Sequence, residues 1–262
     1  MTEFTWAPGI ENDAAIRDEL DLRHPERLKL RPTDVEGLRE AFTVGEVVGA
    51  DDRPSADPLV YKESMDKFAM KVTVHECTMS NLRKFAEVSI RFEVDCVLAV
   101  TAVDNGLGGF TLEEKPVETP YAVDHDERAG EGPTRWAKRF DVSNWVILLA
   151  EVEEIVRGGA VVAFDTPNVF MLEGRRDLAV IWDLRVDESS RRKGIGSALI
   201  QAAEQWAVAH HCGEMKIETQ NVNVSACKFY ARQGYSVRTI DRFAYGETLD
   251  EVELVFTKSL AA

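Results

Sequence analysis

Cysteine is scarce and scattered in this chain of 262 residues: four in all, at positions 77, 96, 212 and 227, with no CxxC pair among them. A disulfide framework needs paired cysteines and a structural zinc site needs closely spaced ligands, so neither is indicated, no metal is called for, and the thiols are expected to be reduced. Cys227 is close in sequence to Tyr230, but a small thiol on a helix reads as packing rather than as a nucleophile. The histidines, His24, His75, His125, His210 and His211, lie far from any nucleophile motif. Basic residues are outnumbered, 31 against 46 acidic ones, for a net charge of −15. Nucleic-acid partners select a basic face, so that class of function is excluded. No apolar run approaches the roughly 20 residues that span a bilayer, and the N-terminus has neither the basic nor the apolar region of a secretion signal. The expectation is a cytoplasmic protein without a membrane partner.

What the chain does have is enough apolar residue, 45%, to bury a substantial core. Proline collects at the beginning, with Pro8, Pro25, Pro32, Pro54 and Pro58 in the first 69 residues. Residues 34–47 and 59–74 could be short helices there, but no motif accompanies them. We expect residues 1–69 to be an N-terminal extension of unknown role and residues 70–262 to form the main domain, Met70 being a plausible start. Residues 90–114 then change to a strand pattern, with Asp104-Asn105-Gly106 as a hairpin turn. Residues 116–133 read as an acidic loop, 144–152 and 158–164 as an antiparallel pair, and 165–177 as a loop. Residues 178–186 (LAVIWDLRV) are written like a strand buried on both faces. Residues 195–208 carry Ile195, Leu199, Ala202, Ala203 and Trp206 at the spacing of one helical face. Strand 215–219, helix 223–233 and strands 235–240 and 251–257 complete the pattern. An antiparallel meander, a strand–helix–strand crossover and a terminal strand pair imply an α/β fold, a mixed sheet with helices on both faces.

Between the central strand and its helix lies Arg191-Arg192-Lys193-Gly194-Ile195-Gly196-Ser197. The first amides of a helix have no partner inside it and the macrodipole is positive there, so this turn is suited to an anion. Glycine lets the backbone approach a phosphate, and the arginines add cationic donors at the rim. The spacing fits neither the dinucleotide fingerprint nor a P-loop. It resembles the R/Q-x-x-G-x-G/A motif of the GCN5-related N-acetyltransferases, and a second stretch of that pattern follows in order: Asn223-x-x-Ala226-x-x-x-Tyr230-x-x-x-Gly234-Tyr235. The wording of WDLRVDESSRRKGIGSALIQAAEQWA, KIETQNVNVSACKFYARQGY and DRFAY is similar to the streptothricin acetyltransferases, from about residue 144 onward and more loosely from residue 70.

This resemblance implies a mostly antiparallel central sheet in which strands 178–186 and 215–219 run parallel and splay apart, with the pantetheine arm of acetyl-CoA in the gap. Arg191, Arg192, Gly194, Ile195, Gly196 and Ser197 would hold its pyrophosphate, Leu184 and Val186 would offer backbone groups to the pantetheine, and Asn223 would bond its amides, or cap the second helix, or both. Direct transfer to an amine needs a deprotonated nucleophile and a proton for the leaving thiolate. Tyr230, two turns from Asn223, stands at the position of the general acid. For the base, Asp183, Glu218 or a water chain remain open. Asp183 interrupts an apolar strand and shares a face with Arg185, so an ion pair competes with a functional role; Glu218 shares its face with Lys216. The resemblance implies a primary amine on a small cationic acceptor of the streptothricin kind, with a protein amine, a polyamine or an acetyl-CoA sensor without turnover as alternatives. It leaves room for a homodimer.

Overall fold

The structure is a computed structural model and describes residues 71–127, 132–246 and 251–260. The expected extension, and the expected helix at 34–47, lie outside these residues. Of the expected helix at 59–74 only the end is described, and there Thr73 opens a strand instead.

Nine strands and four helices are described: β1 (Thr73–Cys77), α1 (Leu82–Ala86), β2 (Phe92–Ala102), β3 (Phe110–Val123), α2 (Trp136–Arg139), β4 (Val146–Val152), β5 (Ile155–Phe164), β6 (Leu178–Val186), α3 (Ile195–Ala209), β7 (Glu214–Gln220), α4 (Val224–Arg232), β8 (Ser236–Asp241) and β9 (Glu253–Ser259). Seven strands form one sheet in the order β1-β4-β5-β6-β7-β9-β8. Every neighbouring pair is antiparallel except β6 and β7. Parallel neighbours need a crossover, and α3 supplies it. No described helix is long and apolar enough to cross a membrane.

Alternation along the strands splits the core in two. Val146, Leu148, Ala160, Ala179 and Ile181 face the helices α3 and α4, whose Leu199, Ala203, Cys227 and Tyr230 are buried against them. Ile147, Leu149, Val161 and Val180 face the other way, onto Phe85 of α1, Trp136 of α2, and Met171 and Leu172 of a single 3₁₀ turn, Phe170–Leu172, inside the expected loop at 165–177. The sheet therefore has helices on both faces, as its apolar pattern requires.

Two expectations are corrected by the β2–β3 hairpin. It does not extend the main sheet but forms a two-stranded sheet of its own, turning at Asp104–Gly106, where Asp104 and Asn105 take left-handed φ of 49° and 53°. And the expected acidic loop at 116–133 is strand as far as Val123, with Pro116 and Pro120 inside it. A two-stranded sheet has only edge strands, so a proline without an N–H can face outward, and Pro116 falls beside a register shift between Val94 and Cys96. The hairpin is tied to the end of β7 by two bonds: Leu98 N–H donates to Asn221 O at 2.9 Å and Asn221 Nδ2 to Leu98 O at 3.0 Å. A small apolar cluster of Phe92, Val94, Val123 and Val222 seals the same junction.

Candidate active site

Ladder pairing between β6 and β7 begins at Leu178↔Glu214 and stops at Ile181↔Ile217. Beyond that point β6 stays with β5 and β7 stays with β9, and the two strands diverge. Trp182 is an extra residue on β6, since Val161 pairs with Asp183 while Val162 pairs with Ile181. Such a bulge reverses the alternation. It turns Leu184 and Val186 toward the α3 side, where both pack on the core, and puts Asp183 and Arg185 on the α1 side. A cleft of about 880 Å³ opens where the strands separate. It is lined by all of the expected residues but one: Asp183, Leu184, Val186, Arg191, Arg192, Gly194, Gly196, Ser197, Glu218, Asn223 and Tyr230. The exception is Ile195, whose side chain is buried in the core at 1% exposure, so only its backbone can serve the turn.

The cationic end of the cleft is the turn into α3. Gly194, at φ +86°, is the N-cap, and this 15-residue helix has no side-chain cap hydrogen bond among the described residues. The contrast with α4 is direct: there the Asn223 side-chain oxygen Oδ1 accepts from Ala226 N–H at 3.2 Å. The α3 terminus thus keeps the orphan donors and partial positive charge that suit an anion. Gly196 lies against α4. A Cβ there would lie 3.1 Å from Phe229 Cζ. Arg191 is held across the cleft edge, donating from Nε to Val186 O at 3.1 Å and from Nη2 to Arg91 O at 2.6 Å. Ser197 Oγ accepts from Gln233 Nε2 at 3.2 Å.

Tyr230 is buried among Phe229, Tyr235 and Phe256, the last an edge-on contact at 5.8 Å between ring centres. Burial holds its phenol above the ordinary tyrosine value, so it remains a proton donor at neutral pH. Cys227, one turn earlier, has its thiol pushed up to about 12 by burial, which fits the packing role expected of it.

The opposite end is acidic. Glu218 Oε1 accepts from the hydroxyl of Tyr245 at 2.8 Å, and that hydroxyl accepts from Gln220 Nε2 at 3.2 Å. Lys216, the neighbour that raised doubt about Glu218, pairs instead with Glu173 at 2.7 Å. Asp183 is engaged on both oxygens by Arg185, at 2.9 Å from Nε and 2.5 Å from Nη2. Burial pushes the Asp183 carboxyl up, Arg185 pulls it down, and Asp126 pushes it up again. Because the Arg185 side chain is fully buried, it is the keystone of this cluster. Replacing it by methionine would leave a buried carboxylate uncompensated, which costs about 3–5 kcal/mol. Urea unfolding of Arg185→Met should show that loss at neutral pH. Without its partner, Asp183 has a folded-state pKa above the unfolded value, so the deficit against wild type should narrow as the pH falls through it.

Asp126, Tyr245 and Trp182 were not singled out as site residues by the sequence. Asp126 lay in an acidic stretch without periodicity, and Tyr245 sat only within the quoted DRFAY string.

This geometry can be set beside known proteins. The sequence profile of the acetyltransferase (GNAT) family matches residues 111–235. Residues 111–235, just under half of the chain, thus carry the sequence signature of the GNAT family. Streptothricin acetyltransferase A of Bacillus subtilis (strain 168) is 36% identical over 78 residues, 29% of this chain and 45% of that protein. A streptothricin acetyltransferase of Escherichia coli is 39% identical over 69 residues, 26% of this chain and 40% of that one. The matches thus span less than half the length of these two curated relatives. A crystal structure of a Bacillus anthracis str. Ames protein in complex with acetyl coenzyme A superposes with a TM-score of 0.56 at 25% identity, over 72% of this chain and 99% of that one. The GNAT profile covers the β6–α3 turn and all of α4, the two segments that supply the cationic end of the cleft and Tyr230.

Proposed function

We infer that the chain is an acetyl-CoA-dependent N-acetyltransferase acting by direct attack on a primary amine of a small cationic acceptor, of the streptothricin kind. The observation that carries this reading is the uncapped, glycine-opened start of α3 facing a cleft made by the divergence of β6 and β7. The GNAT match over residues 111–235 and the acetyl coenzyme A in the Bacillus anthracis structure agree with it.

The amides at the start of α3, with Arg191 and Arg192 at the rim, bind the pyrophosphate. The edge of β6 at Leu184 and Val186, freed from β7, offers its backbone to the pantetheine, and Asn223 lies beside it while capping α4. Glu218 receives the proton of the acceptor amine, directly or through water. The amine nitrogen bonds to the thioester carbonyl carbon, the carbon–sulfur bond breaks, and Tyr230 gives its proton to the departing thiolate. Asp183 is assigned to positioning, because both of its oxygens accept from Arg185 and its side chain is only 6% exposed. Residues 70–262 are taken as the transferase domain.

The reading is tested by release of CoA thiol from acetyl-CoA in the presence of streptothricin, spermidine, lysine or a lysine peptide, against a control without acceptor. Rapid release with streptothricin is the expected result. Release with none of the amines, by a chain that binds acetyl-CoA, would overturn the transferase assignment in favour of a sensor.

A further inference from the structure

The five N–H donors of Arg185 are fully used, and two carboxylates use four of the bonds. Nε and Nη2 bond Asp183; Nη1 and Nη2 bond Asp126 at 2.7 and 3.2 Å; Nη1 also bonds Val88 O at 3.0 Å. The guanidinium lies 4.7 Å from the centre of the Phe85 ring. With both carboxylates ionised, the one cation between them leaves one negative charge among the described residues of the cluster. That charge is not shared evenly with the cleft, since the Asp183 side chain is 6% exposed and that of Asp126 is 30% exposed. Asp126 is also fixed in place: its own N–H donates to Asp124 Oδ1 at 3.0 Å, and the adjacent His125 ring packs on Phe92 at 5.9 Å.

Asp126 lines the cleft. Trp136 and Trp182 line the same cleft, and Trp182 Nε1 is buried without a hydrogen-bond partner among the described residues. A fixed, partly exposed carboxylate in a cleft that indole side chains also line is complementary to an organic cation, by ion pairing and by attraction to the rings. It is poorly matched to an acceptor whose one amine must be neutral to react.

Resting on the transferase reading, we propose that Asp126 is the specificity-determining residue for the acceptor, binding a second cationic group while the reacting amine lies toward Glu218. The acceptor is therefore at least a diamine. A monoamine leaves the Asp126 charge unmatched and is discriminated against at this residue, not at the reacting centre.

The test is calorimetric binding of streptothricin to the full chain saturated with CoA, for wild type, Asp126→Asn and Asp126→Glu. Asparagine keeps an oxygen for Arg185 and leaves that cation balanced by Asp183, and an unchanged acetyl-CoA affinity shows that each variant is folded. The Kd should rise about tenfold or more in Asp126→Asn and stay within about threefold of wild type in Asp126→Glu. In wild type, with no variant needed, spermidine should compete with streptothricin and butylamine at the same concentration should not. Equal Kd values in wild type and Asp126→Asn, equal competition by both amines, or no binding of streptothricin to wild type overturns the proposal. Thiol release on the same samples separates the two readings. Release with an unchanged Kd in Asp126→Asn removes the role of Asp126 alone; binding that depends on Asp126 without release removes the transferase reading and supports the cation site.

Discussion

Gly196→Trp should lose acetyl-CoA affinity by at least ~100-fold, about 2.8 kcal/mol, while the chain still folds. Gly196 stands in the first turn of α3, behind the uncapped amides and on the cleft wall. An indole there would fill the approach that the phosphates need and hold them away from the helix terminus, where the attraction falls off within one turn. The Cβ alone would come within 3.1 Å of Phe229 Cζ, the tip of a partly buried side chain on the helix that also carries Tyr230, which has to give by a few tenths of an ångström. That contact sets the control. Gly196→Ala adds the Cβ without blocking the cleft, so it should melt close to wild type and lose far less affinity. Equilibrium binding of acetyl-CoA to both variants, with their melting transitions, checks the prediction. Tight binding by a folded Gly196→Trp would remove the phosphate site from this turn.

Much of this architecture was legible because its signals are local. The strand at 178–186 and the helix that follows it announce themselves by an unbroken apolar run and by one-face spacing, and the turn between them by glycine and arginine in a single short string. The features that were not legible depend on partners far away in the chain. Asp126 acquires its meaning from Arg185, and the docking of the β2–β3 hairpin at the end of β7 depends on Asn221 bonding Leu98. The continuation of β3 through Pro116 and Pro120 depends on its being an edge, which no property of those residues states. The bulge at Trp182 was hidden for another reason. In a strand apolar on both faces, an inserted residue leaves no break in the pattern, yet it decides which way Asp183 and Leu184 point.

Glu218→Gln should lower kcat by about 10²–10⁴-fold while leaving acetyl-CoA affinity unchanged, the range that a positioned general base contributes. Glu218 follows immediately on the last β6–β7 pair, Ile181↔Ile217, so it stands at the point of divergence. The Tyr245 hydroxyl fixes one of its oxygens at 2.8 Å. Burial and the negative charge of Glu218 itself raise the Tyr245 phenol well above its ordinary value, so this partner stays protonated and continues to donate. Glutamine keeps the shape and can still accept from Tyr245, but it cannot take a proton from the acceptor. The pH profile discriminates between the candidate bases. If Glu218 is the base, the acid limb of kcat in wild type should flatten in Glu218→Gln, and Asp183→Asn should retain that limb even where it loses stability. A loss below about tenfold in Glu218→Gln would instead mean that water carries the proton to solvent without this carboxylate, and Glu218 would then serve to orient the acceptor ammonium before it is deprotonated.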